Sequence, residues 1–237
     1  MGVRALLAAS GGGTPPLDLD YPLPGSGDYR TAVQALFGLS YADIATPETA
    51  TGGVATVLNS ATGLWRSKYD GNFTASGLNT VNSYDLNWFV GKTPMKSLAD
   101  TALSWGTQGD GPNPGQHNFS VEWLGYINLS SQKWNFYVTS DDTCAVWIGN
   151  SAVSGFSAAN CLVSSSNLSL PSDASSSRSS KSLIFDNTKW FPIRIWFGEF
   201  TGACRFQLFA LGEDGTKLAG NNLTINYNNT TKGFNPP

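Results

Sequence analysis

Residues 119–149 read FSVEWLGYINLSSQKWNFYVTSDDTCAVWIG, and their alternation decides the fold class. Successive side chains of an extended strand point to opposite faces. Phe119, Val121, Trp123 and Ile127 therefore share one face. Trp134, Phe136 and Val138 repeat the pattern, and Cys144, Val146 and Ile148 repeat it again. Between the last two runs stand Asp141 and Asp142. Adjacent carboxylates flanked by strands are unfavourable unless something uses them, or unless they mark a polar turn at a strand end.

The same period of two continues downstream. Phe191, Ile193, Ile195 and Phe197 form one set, Cys204, Phe206 and Leu208 a second, and Leu223, Ile225 and Tyr227 a third. Alternating segments parted by turn residues predict an all-β chain folded as an antiparallel β-sandwich over 63–228. Upstream the character changes. GGGTPP and YPLPGSG make residues 1–27 an extended N-terminal arm. Residues 28–62 read as a small helical and linker region, with Asp28 capping a short helix that carries Ala32, Val33, Leu36 and Phe37 on one side. Residues 164–182 are a Ser-rich connection, and 229–237 read as a C-terminal tail.

Composition narrows the function. Charged residues make up 13% of the chain and the net charge is −3, so a basic surface for nucleic acid is not expected. No apolar run reaches the roughly 18–20 residues of a membrane span. The short apolar patch in MGVRALLAASGGG falls below a signal-peptide core. The 3 cysteines, Cys144, Cys161 and Cys204, have no CxxC spacing, which speaks against a thiolate zinc site. They read as small buried thiols, or as a Cys144–Cys161 or Cys144–Cys204 bridge. Asn-x-Ser/Thr occurs at Asn72, Asn118, Asn128, Asn167, Asn222, Asn228 and Asn229. In a chain rich in Asn, Ser and Thr, chance supplies many such triplets.

Catalytic readings find little support. His117 is the lone histidine, in the loop-like GPNPGQHNFS, with no Ser or Cys motif to pair it. Adjacent strand aspartates point apart, which makes a poor acid and base pair for glycoside hydrolysis. Asp142-Thr143-Cys144 lacks the glycine expected of an aspartic protease. Metal binding remains: a hard cation such as Ca²⁺ takes carboxylate and carbonyl oxygens, and two neighbouring aspartates can share one ion if their side chains converge.

Several motifs fall in a recognisable order. GLWRSKYDGNF (63–73), SYDLNWFVGKTP (83–94), FSVEWLGYINLSSQKWNFYVTSDDTCAVWIGNSAV (119–153) and KWFPIRIWFGEFTGACRFQLF (189–209) succeed one another. The set resembles the β-sandwich module named for the bacterial toxin protective antigen, the PA-14-type domain. It is also similar to the related flocculin and GLEYA-type adhesin domains. The resemblance implies that the consecutive aspartates are joined by a cis peptide and hold a Ca²⁺ ion that in turn coordinates sugar hydroxyls. Asp141 and Asp142 would be those ligands. The second ligand loop would be Gly198-Glu199-Phe200-Thr201-Gly202, with Glu199 giving a carboxylate and Thr201 a backbone carbonyl. The loop departs from the adhesin pattern, lacking its Asn and a later Trp. Trp147 and Trp196, opposite the core-facing residues of their strands, are candidates for stacking on sugar rings or for outer-sheet packing.

The resulting expectation is a non-catalytic, Ca²⁺-assisted carbohydrate-recognition module on a virion or cell surface. Its partner is a glycan, and other virion or surface proteins would meet it through the N-terminal arm. The alternative is a structural decoration or assembly subunit without sugar binding.

Overall fold

The computed structural model describes residues 41, 47–74, 81–101, 103–105, 118–167, 179–200 and 205–236. The expected arm at 1–27, the helix carrying Leu36 and Phe37, His117, Thr201 and Cys204 lie outside the described residues. The alternating segments of the sequence are strands. β1 is Glu48–Thr49, β2 Ser60–Thr62, β3 Leu64–Asp70, β4 Lys96–Asp100 and β5 Ser104–Trp105. β6 is Phe119–Asn128, β7 Lys133–Ile148, β8 Val163–Asn167 and β9 Leu183–Ile184. β10 is Phe191–Glu199, β11 Arg205–Gly212, β12 Lys217–Ala219 and β13 Thr224–Asn228. The one described α-helix, α1, is the single turn Asn150–Val153.

Two antiparallel sheets face each other, and β7 belongs to both. Its first part pairs with β11, from Gly212 opposite Trp134 to Arg205 opposite Asp141. Its second part pairs with β10 on one side, Gly198 opposite Thr143, and with β8 on the other, Asn167 opposite Asp142. The second sheet continues through β6, which pairs with β10 along Phe119–Ile127. Beyond β6, β3 and β13 lie end to end, covered in turn by β4 and β2. The first sheet is completed by β5 and β12 beside β11, and by β9 with the parallel β1 beside β7.

The polar-turn reading of Asp141-Asp142 is therefore corrected. No turn occurs there: the 16 residues of β7 run unbroken, and the two aspartates mark the step at which the strand leaves one sheet for the other. Ladder partners on both sides, β11 before and β10 and β8 after, keep the backbone extended through the pair.

Facing side chains fill the interior as the alternation predicts. Val121, Trp123, Ile127, Phe136, Val138, Val146, Ile193, Ile195, Phe206 and Leu208 all belong to one buried cluster. Trp123 stacks on Phe206 with ring centroids 5.1 Å apart. Cys144 is buried in this cluster as a free thiol, and Cys161 is also free. Neither expected bridge to Cys144 forms.

A second cluster covers the other face of the β6–β10–β7 sheet. Trp147, Trp196, Phe73, Tyr84, Ala145 and Ala152 are buried there beneath Leu86, Trp88, Phe89, Phe156 and Phe234. Residues 81–95, α1 and the chain end thus form a lid on the sheet. Beneath it, Glu122 accepts from Arg194 and from Trp196 Nε1, the latter at 2.9 Å. Arg194 Nε donates to Ala152 O at 2.7 Å, and the guanidinium lies 4.4 Å from the Phe156 ring centre. A guanidinium satisfied on both its polar edges and its flat face is tolerated under an aromatic cover.

The paired strands start earlier than residue 63 and the packed chain ends later than 228. β1 and β2 lie within the stretch read as linker. The tail packs Phe234 against the Tyr126 ring and inserts Asn235, which takes the Leu58 N–H on Oδ1 at 3.0 Å, donates to Thr56 O at 3.0 Å, and gives its own N–H to Tyr126 at 2.8 Å. One short amide fastens both ends of the domain, a contact that no periodicity announces.

Candidate functional site

The step in β7 brings Asp142 next to the end of β10. Asp142 is 0% exposed, and its Oδ2 accepts the Phe200 N–H at 2.5 Å. Glu199, the last residue of β10, is also 0% exposed and pairs with Phe119 at the start of β6. Thr143 Oγ1 donates to Gly198 O at 3.4 Å and ties the two strands just behind the carboxylates. Two acidic side chains, one from each of two neighbouring strands, are thereby buried at one end of the sandwich. Taking an anion out of water costs several kcal/mol unless other groups offset its charge.

The surrounding backbone is stitched into the same end. Phe200 O accepts the Asn118 N–H at 3.0 Å, and Asn118 O accepts the Gly71 N–H at 2.8 Å. Asn118 has φ +62°, the left-handed conformation that asparagine tolerates better than most residues. Asn72 follows and lies over Gly198: a Cβ at Gly198 would meet its amide group at 2.5–2.9 Å. Glycine at 198 is thus required by close approach of a side chain from another loop. Asn72 is 6% exposed, and its Nδ2 has no hydrogen-bond partner. Asn72 and Asn118 were not singled out as site residues from the sequence. The only signal was positional, Asn72 closing the GLWRSKYDGNF motif and Asn118 opening the FSVEW strand.

Of the residues expected at the site, Asp142 and Glu199 come together through the Phe200 amide. The backbone of Asp141 is in β7, paired with Arg205. Its side chain and all of Thr201 are outside the described residues. Trp147 and Trp196 are placed in the packing role. Both indoles are buried in the second cluster, 5.2 Å apart, with Trp147 Nε1 donating to Ser157 O at 2.9 Å. Neither presents a ring face to solvent. Among the described residues no three His, Cys, Asp or Glu side chains gather in one group. The oxygen chemistry of Asp142 and Glu199 fits a hard cation such as Ca²⁺ and does not suit a soft one.

Residues 119–210, from the start of β6 to near the end of β11, match the model of the GLEYA domain. Over this stretch the sandwich is similar to GLEYA domains. Solved structures share its fold. The A domain of Epithelial Adhesin 6 from Candida glabrata, solved in complex with Galβ1-3GlcNAc, superposes with TM-score 0.53 at 15% identity over 79% of this chain and 96% of that one. A PA14 sugar-binding domain from an RTX adhesin superposes with TM-score 0.50 at 14% identity over 69% of this chain and 98% of that one. The chain spans about half, 47%, of an anti-sigma factor domain-containing protein from Clostridium clariflavum, at TM-score 0.48 and 16% identity. No curated protein matches the chain in sequence. The GLEYA match runs across the step in β7 and past the end of β10, so it spans both candidate carboxylates.

Proposed function

We propose that this PA14/GLEYA-type domain recognises carbohydrate without catalysis, with Ca²⁺ held at the end of the sandwich where β7 changes sheets. The observation that carries the reading is the buried pair Asp142 and Glu199, drawn together around the Phe200 amide. Asp142 and Glu199 would hold the ion with Asp141 and the Thr201 carbonyl. Bound Ca²⁺ supplies coordination positions that vicinal sugar hydroxyls fill in place of water. The protein's own part is to fix the carboxylates before the ligand arrives. Asp142 is oriented by the Phe200 N–H, and the end of β10 is braced at Phe200 O by the Asn118 N–H. Preorganisation of this kind lowers the ordering cost of binding.

Neighbours of the same fold, one solved with Galβ1-3GlcNAc and one named a sugar-binding domain, support a glycan ligand. With Trp147 and Trp196 buried under the lid, neither ring offers a stacking platform to a sugar. We place the domain on a virion or cell surface, a reading supported by its neutral, hydroxyl-rich composition. No helix among the described residues is long and apolar enough to cross a membrane.

A glycan array probed in millimolar Ca²⁺ and again in chelator tests the proposal. Binding that is lost in chelator and in Asp142→Asn is the expected result. Equal signals for wild type and Asp142→Asn would overturn it.

A further inference from the structure

The fold sorts the Asn-x-Ser/Thr triplets by what each asparagine amide is doing. Asn72 is buried with its amide pressed on Gly198, so a sugar on Nδ2 would have to pass through β10. Asn228 is 1% exposed, and its amide receives the Thr230 and Thr231 N–H groups. Asn128 uses both amide protons, on Asn187 O and Lys189 O at 2.9 and 2.7 Å. Asn118 differs. Its side chain is exposed, while its backbone N–H and C=O carry the structural bonds to Phe200 and Gly71. A substituent on its Nδ2 disturbs neither bond.

We propose that Asn118 is an N-glycan acceptor and that its glycan shields the candidate site; the shielding, though not the modification, rests on the carbohydrate-binding reading. Asn118 is one backbone hydrogen bond from Phe200, whose N–H holds Asp142. A glycan rooted there stands beside the carboxylates. In the transfer, the C1–O bond of a lipid-pyrophosphate-linked oligosaccharide breaks and a bond from C1 to Nδ2 of Asn118 forms. The lipid pyrophosphate leaves, and the amide gives up one proton. The hydroxyl of the triplet, on Ser120, is buried and accepts from Trp88 Nε1 at 2.8 Å. Transfer therefore precedes the folding of β6, and the folded protein is not a substrate.

The full chain, secreted from yeast behind a leader, is treated with peptide-N-glycosidase in heavy-oxygen water and mapped by mass spectrometry. Occupied Asn118 with vacant Asn72 and Asn228 is expected. Vacant Asn118, or occupied Asn72 in folded protein, overturns the assignment. Translation into microsomes gives a readout that does not need the fold: Asn118→Gln loses one glycan step relative to wild type, and an unchanged ladder overturns the proposal. Trimming the glycan from the secreted protein is expected to strengthen array binding. Unchanged binding overturns the shielding. Absent binding in both forms overturns the lectin reading and the shielding with it, while occupancy stands on the mass spectrum.

Discussion

Asp142 and Gly198 show how much of the site depends on single atoms. Asp142→Asn keeps an oxygen for the Phe200 N–H but removes the charge. The variant is expected to melt near the wild-type temperature and to lose the rise in melting that Ca²⁺ gives the parent, read by differential scanning fluorimetry. A Ca²⁺ response equal to the parent's would rule out Asp142 as a ligand. Gly198→Ala drives a methyl into the Asn72 amide. Overpacking at a buried contact costs about 1–3 kcal/mol, and urea unfolding of the variant should register it. Cys144 makes a pH prediction. Burial pushes its thiol up from an ordinary value near 9 to about 12. Between those values the unfolded chain releases a proton that the folded chain keeps. The Cys144 contribution is thus fully present below pH 9 and falls at about 1.4 kcal/mol per pH unit as pH rises toward 12. Cys144→Ala should flatten that slope in melts taken from pH 8 upward, and a slope equal to the parent's would show that the thiol does not titrate late.

At the scale of elements, the strands and their inward faces were legible because burial on one face writes a period of two into the sequence. Trp123, Phe136, Val146, Ile193 and Phe206 all point inward as read. Two things were not legible. The continuity of β7 through Asp141-Asp142 depends on partners from β8, β10 and β11, and polar residues carry no sign of them. The outer cover over Trp147 and Trp196 is built from residues 81–95, α1 and Phe234, distant segments whose joint surface has no local period. The site divides the same way. Asp142 on β7 and Glu199 on β10 could be singled out from their motifs, but the Asn72 and Asn118 braces arise from loop contacts. The C-terminal segment is one such element. Asn235→Ala removes an amide that serves Leu58, Thr56 and Asn228 together. The loss should cost about 1–3 kcal/mol and free the end of the chain to exchange, visible as faster amide hydrogen exchange around 56–58 and 228–235. Unchanged exchange there would mean that Phe234 alone seats the tail.

At the scale of the molecule, the two sheets share a strand, and the core between them is one cluster. Unfolding is therefore expected as a single transition, with tryptophan fluorescence and far-ultraviolet circular dichroism giving coincident curves. Separated curves would show the sheets coming apart independently. The common strand also has a mechanical consequence. Because Lys133–Ile148 is laddered into β11 at one end and into β8 and β10 at the other, traction along it loads both sheets in shear. The rungs then bear the load in parallel and not one after another, as in a zipper. A ligand seated at the middle of that strand would pull on a segment of backbone laddered into both sheets, a favourable point of attachment for anything that must hold against flow.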